Sequence, residues 1–331
     1  MDKKVKKKNP LKLKSCVVAL SLWGFPPFSL SSAPVMAAET ASNTAQEHVA
    51  EALYNKGIEL RSLYLSEVVL DSSSSLLNKA IATFNDLITR FGNSKDPKIQ
   101  EQVAMALFDK GVYLDYLNRH EEAIAAYNDL ITRFSNSQDK IIQEAVANAL
   151  LNKGNDLGKL HRYEEAIASY NDLITRFDNS QDTFIQSEVG EALYNKGIDL
   201  GSLNRDEEAI ATLNYFIAHF SNSHDLFIQE DVVMALYNKG GELRHLHRYE
   251  EAIAAYNDLI TRFGNSQDKI IHEDVAEALL NKGDVLAELH RIGQARAEWE
   301  ELVYRFKDNP DVKIQKSVKD ARHNLLVKRN F

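Results

Sequence analysis

The phrase Glu-Glu-Ala-Ile-Ala-Ala-Tyr-Asn-Asp-Leu-Ile-Thr-Arg-Phe occupies residues 121–134 and returns letter for letter at 250–263, three periods of 43 residues later. A copy with one change fills 164–177, and looser copies lie at 206–220 and 77–91. A second phrase, Asn-Lys-Gly or its close variant, keeps step with the first: Gly57, Gly111, Gly154, Gly197, Gly240 and Gly283 are spaced 54, 43, 43, 43 and 43 apart. Self-similarity at one fixed period means stacked supersecondary units whose core is built from neighbour contacts. Length therefore sets no domain count for this chain.

The third copy shows the physics of the unit. Ile142, Val146, Leu150, Leu157 and Leu160, with Gly154 in the same row, step by three and four and define one face of a helix of about 21 residues, helix A. Asp139 precedes it as an N-cap, and the matching place one copy earlier reads Asp96-Pro97, an acceptor followed by proline at the first helical position. After His161-Arg162 a new stripe begins at Tyr163, Ala166, Ile167, Tyr170, Leu173, Ile174 and Phe177, which makes helix B, about 15 residues long. So short a connection forces an antiparallel hairpin. Gly154 costs about 1 kcal/mol against alanine inside a helix, and close approach to helix B near Ala166 and Tyr170 is the reason to keep it.

These residues resemble the tetratricopeptide repeat. Leu150, Gly154, Leu157, Ala166 and Tyr170 stand at that family's signature positions, through both helices and in six copies over about residues 47–306. The chain departs from the family in three ways: leucine replaces the tryptophan, the closing proline is missing, and the period is 43 instead of 34. The expected fold is all-α, an α-solenoid of six helix-turn-helix repeats (47–92 with an insertion at 64–75, 93–135, 136–178, 179–221, 222–264 and 265–306) closed by a C-terminal capping helix at 307–331.

The resemblance implies that the side of helix A opposite its stripe lines a concave groove holding a peptide or partner protein. Two rows lie there. One is Tyr54, Phe108, Leu151, Tyr194, Tyr237 and Leu280; beside it run Asn55, Asp109, Asn152, Asn195, Asn238 and Asn281. Amides can donate to and accept from an extended backbone, and aromatics offer anchoring area with few rotors to freeze. The competing reading is that both rows merely pack and bond between neighbouring helices. Two variable rows would carry specificity: Glu51, Met105, Asn148, Glu191, Met234, Glu277 and Arg61, Asp115, Gly158, Gly201, Arg244, Ala287. Neither is consistently basic, so an extended or mixed-charge segment fits better than a C-terminal carboxylate. Tyr64, Leu65, Val68 and Val69 in the insertion form a possible accessory patch.

The ends and the charge bound the rest. A lysine-rich start, an apolar run from Cys16 to Leu22 and small residues around Val35-Met36-Ala37 read as a secretory signal over 1–37, with 38–46 a flexible leader. Removing 1–37 leaves 32 basic against 47 acidic residues, a net charge of about −15. The expectations are a periplasmic or secreted chain with no membrane span after signal removal and a protein or peptide as partner, not nucleic acid, which demands a basic face. A self-associating structural array of the cell envelope is the alternative. His120, His161, His247 and His290 sit at the hairpin turn without a recurring metal spacing. With no phosphate loop or nucleophile elbow either, no enzyme, metal, cofactor or small-molecule substrate is expected.

Overall fold

The computed structural model describes residues 36–66, 73–223 and 226–327. Thirteen α-helices and no strand make up these residues. They fall into two compact units, one ending at Arg162 and the other beginning at Tyr163. The first holds α1 (Met36–Ser66), α2 (Ser73–Phe91), α3 (Pro97–Tyr116), α4 (His120–Phe134) and α5 (Lys140–Lys159). The second holds α6 (Tyr163–Phe177), α7 (Thr183–Ser202), α8 (Asp206–Phe220), α9 (Leu226–His245), α10 (Tyr249–Phe263), α11 (Lys269–Glu288), α12 (Ile292–Phe306) and α13 (Val312–Val327). Odd-numbered elements are helices A and even-numbered ones helices B. In each unit a helix packs on the next, and successive helices A also touch, as α1 with α3 and α7 with α9.

Helix A begins where an aspartate caps it. Asp96 Oδ1 accepts from the backbone N–H of Lys98 and Ile99, and Asp139, Asp182, Asp268 and Asp311 repeat the arrangement. A side chain four residues further on then ties down the preceding loop: Gln100, Gln143 and Gln229 donate to the carbonyls of Ser94, Ser137 and Ser223. This loop and the longer start of helix A account for the extra residues of the 43-residue period. At the other end Asn118, His161, Asn204, His247 and His290 adopt φ of 56–58°. Each follows the helix cap, and beside His247 the N–H of Arg248 reaches back to Leu243 O at 2.8 Å, a Schellman closure. Three of the expected turn histidines hold this position; His120 instead opens α4.

At the recurring glycine helices A and B approach closely. A Cβ on Gly111 would lie 2.3 Å from the Tyr127 ring, on Gly240 2.6 Å from Tyr256, and on Gly283 2.4 Å from Trp299. Helix B is amphipathic, with Ala252, Ile253, Tyr256, Leu259 and Phe263 of α10 buried and its acids outward. Its outer face carries arginine ladders. Arg248 grips Glu251 in its own repeat and Glu207 in the preceding one, as Arg205 grips Glu208 and Glu164. Helix A differs: α3 buries residues all round, with the run Val103–Asp109 inaccessible on every side.

One expectation at the N-terminal end differs from the structure. Residues 38–46 are part of α1, which reaches back to Met36, so they are no loose leader; their small, helix-compatible residues simply extend the turn pattern. Residues 1–35, most of the expected signal, lie outside the described residues, as do Val68 and Val69 of the accessory patch. Tyr64 and Leu65 belong to the last turn of α1, and their side chains lie outside the described residues too. Among the described residues no helix is long and apolar enough to cross a membrane.

Candidate partner-binding seam

The two rows expected to line an open groove are instead consumed between repeats. Tyr54 Oη donates to Asp109 Oδ2 at 2.9 Å, Asn238 Nδ2 donates to Tyr194 Oη at 3.2 Å, and Asn281 Nδ2 donates to Tyr237 Oη at 2.9 Å. The rule is one bond from each tyrosine row position to the amide or carboxyl row position of the next repeat. Phe108, Asp109, Leu151, Tyr194, Tyr237 and Asn238 are buried; Tyr54, Asn152, Asn195, Leu280 and Asn281 are half-buried, and Asn55 alone is exposed. These bonds and this burial are the packing role that competes with the groove reading of the same residues. Successive helices A approach so closely that their facing sides bury each other, which single-helix geometry does not reveal.

What stays accessible is the neighbouring variable row. Glu191, Met234 and Glu277 are half-buried in the second unit, with the Met234 Sδ 3.8 Å from Tyr194 Oη. Acids lie beneath and beside it: Glu188, Asp231 and Asp274 recur at the 43-residue step, and Asp199 and Glu242 recur in another row. All five are buried. Sequence reading passed over these acids because one apolar-periodic stripe was followed at a time; tabulating every position against the period would have found them. Arg244, on the same side, is bound to Glu288 through Nε at 3.2 Å.

In the first unit the corresponding place holds a mixed cluster. His120 Nδ1 lies 2.9 Å from Asp115 Oδ1 and 3.2 Å from Asp156 Oδ1, and the Lys159 ammonium bonds both carboxylates, at 2.9 Å from Asp156. These side chains have the spacing of a cation site, but the ammonium already supplies the cation, so the cluster reads as an internal ion network. Burial, then the adjoining Asp115 carboxylate, pushes Asp156 up to about 8. Asp115 is held below its ordinary value: burial alone would raise it, and its bonds to Asp156 and Lys159 outweigh that. Asp156, the more buried partner, therefore holds a proton more firmly than Asp115 does.

Asp109 and Asp284 are also shifted by burial. Asp109 rises to about 6, with the Tyr54 hydrogen bond and Arg61 opposing. Asp284 also rises to about 6, opposed by Arg244. The Asn-Lys-Gly lysine follows no single pattern. Burial lowers Lys110 and Lys196, whereas Lys282 pairs with Glu298 at 2.7 Å.

The tetratricopeptide repeat profile matches residues 194–268 and 237–310, and a second profile of the same description matches 105–137. This chain is a tetratricopeptide repeat protein. Among solved structures it is similar to a tetratricopeptide repeat protein from Parabacteroides merdae (14% identity, 83% of this chain and 93% of that one, TM-score 0.49). It is similar also to BtubC from P. vanneervenii (12%, 77% and 93%, TM-score 0.49) and to the apo form of RapI (14%, 84% and 99%, TM-score 0.51). No curated protein matches the chain.

Proposed function

We propose that the chain is an exported, non-catalytic scaffold that holds a basic, extended segment of another protein along the helix A seam of the second unit. The repeat family supports an interaction role, and the lysine-rich, apolar beginning of the sequence supports export. The observation that carries the choice of partner is the acid-rich seam, where Glu191 and Glu277 stand half-accessible over buried Glu188, Asp231 and Asp274. A concentration of one sign of charge beside low-dielectric walls draws the opposite sign and steers encounter. Met234 between the two glutamates adds a soft apolar contact.

The experiment compares capture from envelope extract by the full chain and by a Glu191→Gln/Glu277→Gln chain. Glutamine keeps the shape and removes the charge, so helix content should be unchanged. The expected result is a protein captured by the wild type, released by raised salt and lost from the double variant. Equal capture by both would overturn the seam.

A further inference from the structure

The two ends of the array treat one row of residues in opposite ways. Val103, Val146, Val189, Val232, Val275 and Val318 occupy the same repeat position and are at most 1% exposed. Ala106, Ala149, Ala192, Ala235, Ala278 and Ala321, three residues on, are 0% exposed. The first repeat carries the same two residues, but Val49 is 38% exposed and Ala52 is exposed as well.

The last helix tells which neighbour buries this row. Among the described residues α13 has no helix B of its own and no following repeat; it packs only on α12 and α11, yet Val318 and Ala321 are buried. The row is therefore the surface that receives a preceding hairpin, chiefly its helix B. In α1 the same row is continued by Ala45, Lys56, Glu59 and the 43% exposed Leu63 along one line of the helix. The other end is different: the outward line of α13 bears Lys316, Lys319 and His323 between Val312 and Leu326, a largely polar closing face.

We propose that the exposed face of α1 is a docking site for an amphipathic helix of a partner protein, with an apolar stripe like that of the array's own helix B. Continuity with the internal junctions defines the occupant: what covers Val103 and Ala106 is the α1/α2 hairpin, and what covers Val318 and Ala321 is the α11/α12 hairpin. In a second copy α2, α4, α8, α10 and α12 are each packed between two helices A and are not free to fill this place. The site is separate from the acid-rich seam and stands without it. Docking would bury a valine, two alanines and a leucine in a helix-in-groove mode.

The test uses the full chain carrying Ala52→Cys, with a synthetic peptide of residues 249–263 as the probe. Maleimide labelling is counted against the wild-type chain, whose one thiol is Cys16. Position 52 should label fast in the chain alone and at least tenfold more slowly with saturating peptide. A Val49→Lys/Ala52→Glu chain, with unchanged helix content, should bind the labelled peptide at least tenfold more weakly. Three results would overturn the proposal. One is no saturable binding, or binding unaffected by the double variant. Another is slow labelling in the monomeric chain alone, which would assign the face to residues 1–35. The third is a dimer dissolved by the double variant, which would assign it to a second copy.

Discussion

Tyr54 and Asp109 are joined across the first two repeats by a 2.9 Å hydrogen bond from the phenol to a carboxylate that has no exposure to solvent. The bond favours the ionised acid against a burial that lifts Asp109 to about 6. Tyr54→Phe removes that donor and should push Asp109 higher still. The expected loss of stability is about 1–3 kcal/mol, larger at pH 8, where the acid is charged, than at pH 5, where it is protonated. Thermal melts of both chains at the two pH values check this; an equal loss at both would contradict it.

Adjacent glycines in α9 should respond oppositely to the same substitution. Gly240→Ala drives a methyl group to 2.6 Å from the buried Tyr256 ring, whereas Gly241 has nothing within 4 Å of a built Cβ. The first should cost about 1–3 kcal/mol through overpacking. The second should stabilise by about 0.4–1 kcal/mol by restricting the unfolded chain. Denaturant midpoints of the two single variants decide it.

Stability should fall as pH rises from 4 to 8. Asp109, Asp156 and Asp284 all have folded values above the ordinary carboxylate value. Between about 4 and those values the folded chain holds protons that the unfolded chain releases, so raising the pH favours unfolding. Below about 4 the sign reverses, because Asp115 and Asp311 are held low in the folded chain. Melting temperature should therefore peak near pH 4, and Asp156→Asn should flatten its fall between pH 5 and 8. An unchanged slope in that variant would exclude a raised Asp156.

The left-handed turn residues offer a fourth lever on stability. His161, His247 and His290 sit at φ near 58°, a region that glycine enters without a Cβ penalty. Each His→Gly change should be neutral to stabilising by up to about 1 kcal/mol, read as an upward shift in the denaturant midpoint. Destabilisation at all three would mean that the imidazoles make contacts stronger than the backbone strain.

How far the sequence reaches is visible in particular residues. Asp139, Gly111 and the Tyr-Ala-Ile stripe of helix B each act locally or against the nearest neighbour, so spacing alone located the caps, the close contact and the hairpins. Tyr194, Tyr237 and Asn238 lie off the apolar stripe that spacing defines, yet they are buried. Their burial depends on the distance between successive helices A, which is set by side chains on two repeats together. Asp115, His120, Asp156 and Lys159 come from three helices, and no one-dimensional spacing joins them. The exposure of Val49 and Ala52 was equally hidden, since the letters match those buried in every other copy.

The arginine ladder gives the array a property of interchangeable parts. Arg248 meets Glu207 behind it and Glu251 ahead, and Arg291 meets Glu250 behind it at 3.1 Å. If residues 206–248 were excised, Arg205 would stand three places before Glu251, as it now stands before Glu208, and Arg291 would still reach Glu250. Every junction would present the same partners to the next. A gene built of such near-identical segments can gain or lose a whole unit by recombination and still encode a chain whose seams close, so copy number is free to drift while the joint is conserved.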